Sequence, residues 1–103
     1  MKKVKVIMVR IYLTEAEEAV KTVIKYLKDD VKVRGISVFR AIQGYGEMGE
    51  HTSSWIDLSL DLPIAIEFFD HEDKVKPALD HLSHIVKPEH VVFWEASAND
   101  NGK

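Results

Sequence analysis

The segment Gln43-Gly44-Tyr45-Gly46-Glu47-Met48-Gly49-Glu50-His51-Thr52-Ser53-Ser54 holds three of the five glycines of this chain and few apolar residues. Glycines at 44 and 46 permit positive φ, and successive amides can then form a nest that binds an anion. Arg40, just upstream, supplies a guanidinium suited to a carboxylate or phosphate. His51, at the end of the segment, can hydrogen-bond an anion or fix the loop. The spacing Gly-x-Gly-x-x-Gly is weak evidence by itself. It follows a strand but does not open a helix, and no acidic residue closes a dinucleotide unit, so a Rossmann reading fails. There is no Gly-Lys-Ser/Thr, so a phosphate-binding P-loop fails too. A simple hairpin tip stays open as the alternative reading of the same residues.

Other chemistry is thin. The chain has no cysteine, which excludes disulfides, thiolate zinc sites and cysteine nucleophiles. His81 and His84 are three apart but fall away from the apolar stripe of their helix, and His71 and His90 are scattered, so no metal site is expected. Ser53 and Ser54 beside His51 lack the strand-to-helix elbow of a hydrolase nucleophile, and no catalytic residue is assigned. Glu67 sits mid-strand, and Asp61 and Asp70 flank the same strand, where carboxylates are often caps. Arg40 pairs with one of them or faces a ligand.

The elements that position these residues follow from periodicity. Val4 to Leu13 is rich in β-branched residues and apolar on both faces, as a central strand is. Thr14 and Glu17 make a capping box that starts a helix, with Ala16, Ala19, Val20, Val23, Ile24 and Leu27 as its stripe and its end near Asp29-Asp30. Ile36 to Ile42 is a second strand. The loop after it is long for a connection within a domain. Leu62 to Phe69 is a third strand with Pro63 at its start. Asp70 or Asp73 caps a second helix; Asp73 is favoured because it puts Pro77 in a first turn. Val75, Ala78, Leu79, Leu82 and Val86 form that helix's stripe. His90 to Ala96 is a fourth strand.

The order β-α-β-β-α-β gives an α+β, ferredoxin-like sandwich: a four-stranded antiparallel sheet of order 4-1-3-2 with two helices on one face. One domain covers residues 1–96, and 97–103 is a polar tail. The helices cover only one face, yet the first strand is apolar on both. Phe39, Ala41, Phe69 and either Phe93 or Trp94 extend the uncovered face. An apolar face of that kind marks an interface, so a homo-oligomer with its sheets packed together is expected.

Val38-Phe39-Arg40-Ala41-Ile42-Gln43-Gly44-Tyr45-Gly46, then His51-Thr52-Ser53, Leu58-Ser59-Leu60-Asp61-Leu62-Pro63 and Glu67-Phe68-Phe69-Asp70 together resemble the PII-like proteins, in particular an uncharacterised family of PII relatives. Arg10-Ile11-Tyr12-Leu13 resembles the opening strand of that family. The resemblance covers about residues 10 to 96. It implies a PII-like homotrimer whose loop after the second strand, the T-loop, spans about 43–60. It also implies a small anionic effector, typically an adenine nucleotide, in the clefts between subunits. The effector-binding residues are then Arg40, Gly44, Tyr45, Gly46, His51 and Asp61. Several positions depart from the pattern. Ala41 stands where relatives carry glycine, and Glu47 and Glu50 make the loop acidic. Ile64-Ala65-Ile66 replaces basic residues, Val86-Lys87-Pro88-Glu89 has no glycine, and Trp55 takes the place of the loop tyrosine that PII proteins modify.

The expected function is therefore regulatory and non-enzymatic, with a membrane transporter or metabolic enzyme contacted through the loop. A small cleft enzyme, a metal-binding trimer of the divalent-cation-tolerance type and a ligand-free scaffold trimer are the alternatives. Composition narrows the partners. The chain has 103 residues, 14 Lys+Arg against 17 Asp+Glu, and a net charge of −3. No basic surface favours nucleic acid. No apolar run approaches the ~20 residues that span a bilayer. The basic start lacks a signal-like apolar stretch, so a cytoplasmic protein is expected.

Overall fold

Strand β1, Lys2–Thr14, runs through the middle of the sheet and sets the positions of everything else. The computed structural model describes residues 2–14, 17–47, 55–57 and 62–100. After β1 come helix α1 (Ala19–Lys25) and a π-helical turn (Tyr26–Val31). Then follow β2 (Ile36–Arg40), β3 (Tyr45–Glu47), β4 (Trp55–Asp57) and β5 (Pro63–Asp70). Helix α2 (Glu72–Leu82), a 3₁₀ turn (Pro88–His90) and β6 (Val91–Asp100) complete the chain.

The main sheet is antiparallel and ordered β2-β5-β1-β6. Counting only its own strands, that is the expected 4-1-3-2 order read from the other edge. β1 and β5 are central because they alone can bury both faces. Ile7, Val9, Ile11 and Leu13 alternate on one face of β1 and meet Ile64, Ile66 and Phe68 of β5. Val23 and Leu27 of the first helical segment, Val75 and Leu82 of α2, and Val86 close over them. Each fully buried side chain of this set contributes about 1.5–3 kcal/mol relative to exposure. Pro63 opens β5, where its missing N–H removes little from the ladder.

The helix starts differ from expectation. β1 continues to Thr14, which pairs with Pro63, and α1 begins only at Ala19. The Glu17 carboxylate does accept a hydrogen bond from the Thr14 amide at 2.7 Å, but this closes a turn leaving the sheet rather than a helix start. Near Asp29-Asp30 the chain widens into the π turn instead of fading. Lys32, at φ 59°, ends it in the left-handed region. Helix α2 begins at Glu72, so Pro77 lies in its second turn rather than its first. Proline there leaves the Asp73 carbonyl without an intrahelical donor. Both residues are exposed, so that carbonyl is within reach of solvent.

Asp70, not Asp73, organises the start of α2. Its side chain is 1% exposed. Oδ1 accepts from the His71 amide at 2.7 Å and Oδ2 from the Arg34 amide at 3.0 Å. Lys74 Nζ stands 3.6 Å from Oδ2. One carboxylate thus joins the end of β5, the helix start and the turn before β2. At the first residue of the same helix, Glu72 bonds Lys76 and Lys5, which hold its carboxyl below the ordinary value.

The last strand is longer than its sequence suggests. β6 runs to Asp100, and Ser97 to Asp100 pair with Lys5 to Lys2, so residues 97–100 belong to the sheet rather than to a tail. No helix among the described residues is long and apolar enough to cross a membrane.

Candidate functional site

Two places combine chemistry with exposure: the base of the segment after β2, and the sheet face without helices.

β2 ends at Arg40, which pairs in register with Ile64 and shares a face with Ile36 and Val38. The backbone then turns sharply. The Ala41 amide donates to the Pro63 carbonyl at 2.9 Å. Gly44 follows, and a Cβ placed on it would stand 3.2 Å from Cγ of Pro63. A side chain at Gly44 would therefore press on the proline ring, while the backbone there lies outside the left-handed region. Pro63 thus pins the base of the segment at both Ala41 and Gly44. Its sequence signal was the Leu-Pro pair; its role as an anchor could not be read without the register.

The segment is not all loop. Tyr45–Glu47 and Trp55–Asp57 pair antiparallel as a two-stranded ribbon, with Tyr45 opposite Asp57 and Gly46 opposite Ile56. Gly46 is thus a ladder residue. Tyr45, at the root of the ribbon, is 76% exposed, and nearby Ile42 is 94% exposed. Large side chains this open at a strand root suit contact with another molecule. Of the six candidate effector residues, Arg40, Gly44, Tyr45 and Gly46 fall in the described stretch from β2 into β3. His51 and Asp61 lie outside the described residues.

The uncovered sheet face is the second place. Residues directly opposite each other share a face, so register assigns it: Met8, Arg10 and Tyr12 of β1; Ala65, Glu67 and Phe69 of β5; Phe39 of β2; Val92 and Trp94 of β6. Trp94, opposite Met8, is the β6 aromatic on this face. Phe93, opposite Val9, points to the helix side. Tyr12, Phe39, Val92 and Trp94 are all exposed.

In the middle of this apolar surface Arg10 meets Glu67. Arg10 Nε donates to Oε2 at 2.8 Å and Nη2 donates to the same oxygen. The guanidinium carbon lies 5.7 Å from the Trp94 ring centre, within cation–π range. Hydrogen bonding to Tyr12, and then to Glu67, raises the Arg10 pKa further above its ordinary value. At the edge of the face, Arg34 stacks over Phe69 at 5.3 Å. Sequence reasoning placed Glu67 mid-strand but missed its partner. The available signal was a charge inside each apolar run, Arg10 between Val9 and Ile11 and Glu67 between Ile66 and Phe68.

His81 stacks on Tyr26 with centroids 4.2 Å apart. No cluster of three His, Asp or Glu side chains suited to a metal occurs among the described residues. Asp70 is committed to its two amides.

Comparison with known proteins places this geometry in a lineage. The DUF190 family, described as "Uncharacterized ACR, COG1993", matches residues 6–98. A UPF0166 protein of Aquifex aeolicus is 37% identical in an 87-residue alignment that covers 80% of this chain and 83% of that protein. Among solved structures, CPII of Thiomonas intermedia, a nitrogen regulatory PII-like protein bound to ADP, AMP and bicarbonate, superposes with a TM-score of 0.68. It is 19% identical, over 96% of this chain and 98% of its own. The divalent ion tolerance protein CutA1 of Ehrlichia chaffeensis superposes with a TM-score of 0.62 at 14% identity, over 94% of this chain and 85% of its own. At those identities the two likenesses establish a shared PII-like, ferredoxin-type fold.

Proposed function

We propose, from the premise that this chain belongs to the DUF190 family of uncharacterised proteins, that it is a PII-like regulatory protein, not an enzyme. It binds a small anionic effector between subunits of a homotrimer and passes the binding state to a protein partner through the ribbon. The observation that carries this reading is the ribbon itself. It leaves the sheet at a base fixed on Pro63, with Arg40, Gly44 and Tyr45 at its root. A guanidinium, small glycines and an exposed aromatic are what an adenine nucleotide needs for its phosphates and its ring. Arg40, Gly44, Tyr45, Gly46, His51 and Asp61 are the proposed effector residues. ADP is the first ligand to try, because CPII, with the same fold, was solved bound to it. The partner is a membrane transporter or a metabolic enzyme, and the site of action is cytoplasmic. An effector can bias the ribbon only by contacting one of its arrangements better than another.

A thermal-shift titration with ADP, AMP and bicarbonate tests this. A ligand at about 100 times its Kd stabilises the native state by about 2.7 kcal/mol, which raises the melting temperature by several degrees. ADP should give such a shift. Arg40→Ala should shrink it by at least half, and added salt should weaken the parent's response as the anion is screened. Gly44→Val should shrink the shift, because its branched side chain crowds the Pro63 ring at the root of the ribbon. No shift with any of the three ligands at millimolar concentration contradicts the effector assignment.

A further inference from the structure

We propose that Pro63 is the positioning residue of the ribbon: its carbonyl and its ring, acting on either side of one turn, fix where Tyr45 stands relative to Arg40. This role rests on the effector reading for its purpose and on backbone geometry for its form. The ends of β1 and β2 both meet Pro63, the residue that opens β5. On the β1 side its register partner is Thr14, the last of the β1–β5 pairs. Proline has no N–H to offer there, and the Thr14 amide donates to the Glu17 carboxylate at 2.7 Å. On the β2 side the Pro63 carbonyl accepts from the Ala41 amide at 2.9 Å, one residue beyond the last β2–β5 pair, Arg40 with Ile64. Three residues later the chain returns to the same proline. A Cβ on Gly44 would stand 3.2 Å from Cγ and 3.9 Å from Cδ of the ring.

The two contacts do different work. Any residue at position 63 can accept the Ala41 bond through its backbone. Only proline holds Cγ and Cδ in a fixed place against Gly44, because its ring closes on its own nitrogen and locks φ at about −65°. Arg40 lies just before the turn and Tyr45 just after it, so the carbonyl anchors the first and the ring steers the second. Residue size at 44 and residue size at 63 are therefore one variable, and that variable sets the spacing between guanidinium and phenol. Holding two binding groups at one spacing is preorganisation, which favours a ligand that needs both over a ligand that needs one.

The test is a double-mutant cycle on Gly44 and Pro63, with circular dichroism to confirm folding. It is read by hydrogen exchange without ligand, and by melting shifts with ADP and with inorganic pyrophosphate. Ribbon exchange is taken relative to Val9, Ile11 and Phe68, which removes any change in global stability. Gly44→Val should speed exchange at Tyr45–Glu47 about tenfold in the parent but less than about threefold beside Pro63→Ala, because the valine then fills the space that Cγ and Cδ leave. The same factor in both backgrounds means that the two positions act separately, and it overturns the inference. Pro63→Ala should shrink the ADP shift by at least half and leave the pyrophosphate shift unchanged, since pyrophosphate has no ring to place on Tyr45. An ADP shift kept in full, or an equal loss for both ligands, overturns the positioning role. Where Pro63→Ala fails to fold, Gly44→Val alone decides: ribbon exchange and an ADP shift both equal to the parent's overturn the inference. A parent that shifts with neither ligand overturns the effector reading instead, and the exchange cycle still judges Pro63.

Discussion

Asp70→Ala should lose about 2–4 kcal/mol of stability, a fall of roughly 10–20 °C in melting temperature for a chain of this size. The substitution takes the buried carboxylate acceptor away from the Arg34 and His71 amides. A buried donor without a partner costs about 1–3 kcal/mol, and here two are orphaned. Lys74 also loses its carboxylate, but it is nearly half exposed and adds little. Asp70→Asn should recover part of the loss, since the amide oxygen can still accept one of the two bonds. Differential scanning calorimetry of the three proteins checks this. An Asp70→Ala protein that melts within two degrees of the parent would mean that the turn before β2 repacks freely.

The second large effect concerns assembly. The parent protein should sediment at about three chain masses at micromolar concentration, and Trp94→Glu should sediment as one. Trp94 lies on the uncovered face opposite Met8, next to the Arg10 guanidinium. In a packed interface a tryptophan is commonly among the few residues that dominate affinity, at 2 kcal/mol or more when truncated. A glutamate there also desolvates a charge without a partner. Phe93→Glu is the matched control, because Phe93 lies on the helix side of the same strand and is more exposed. It should keep the parent's mass. Loss of assembly in both variants would point to the β6 edge rather than the open face.

How far the sequence carried these conclusions can be judged residue by residue. The central strands were legible because apolar side chains on both faces of β1 leave no other place for it. Strand order followed, and so did the uncovered face and the resemblance to PII relatives. The ribbon strands were not legible. Tyr45–Glu47 and Trp55–Asp57 are three residues each, and neither has a period to detect. The end of β6 was hidden for a related reason. Ser97 to Asp100 are polar apart from Ala98, and they are strand because Lys2 to Lys5 of β1 offer them a partner. Pro77 misled the helix start: proline in a second turn is rarer than in a first, but solvent at both Pro77 and Asp73 makes it tolerable here. The Arg10–Glu67 pair joins residues 57 positions apart, and only the β1–β5 register makes them neighbours.

The central claim is that effector binding changes the ribbon. Hydrogen exchange followed by mass spectrometry, with and without saturating ADP, tests it most directly. Local opening free energies differ across a fold, and a ribbon of two three-residue strands should open more easily than β1 or β5. ADP should slow exchange at the amides of Tyr45–Glu47 and Trp55–Asp57 at least tenfold beyond the slowing that native-state stabilisation gives Val9, Ile11 and Phe68 in the sheet. Unchanged ribbon exchange at ADP concentrations that raise the melting temperature would contradict the account.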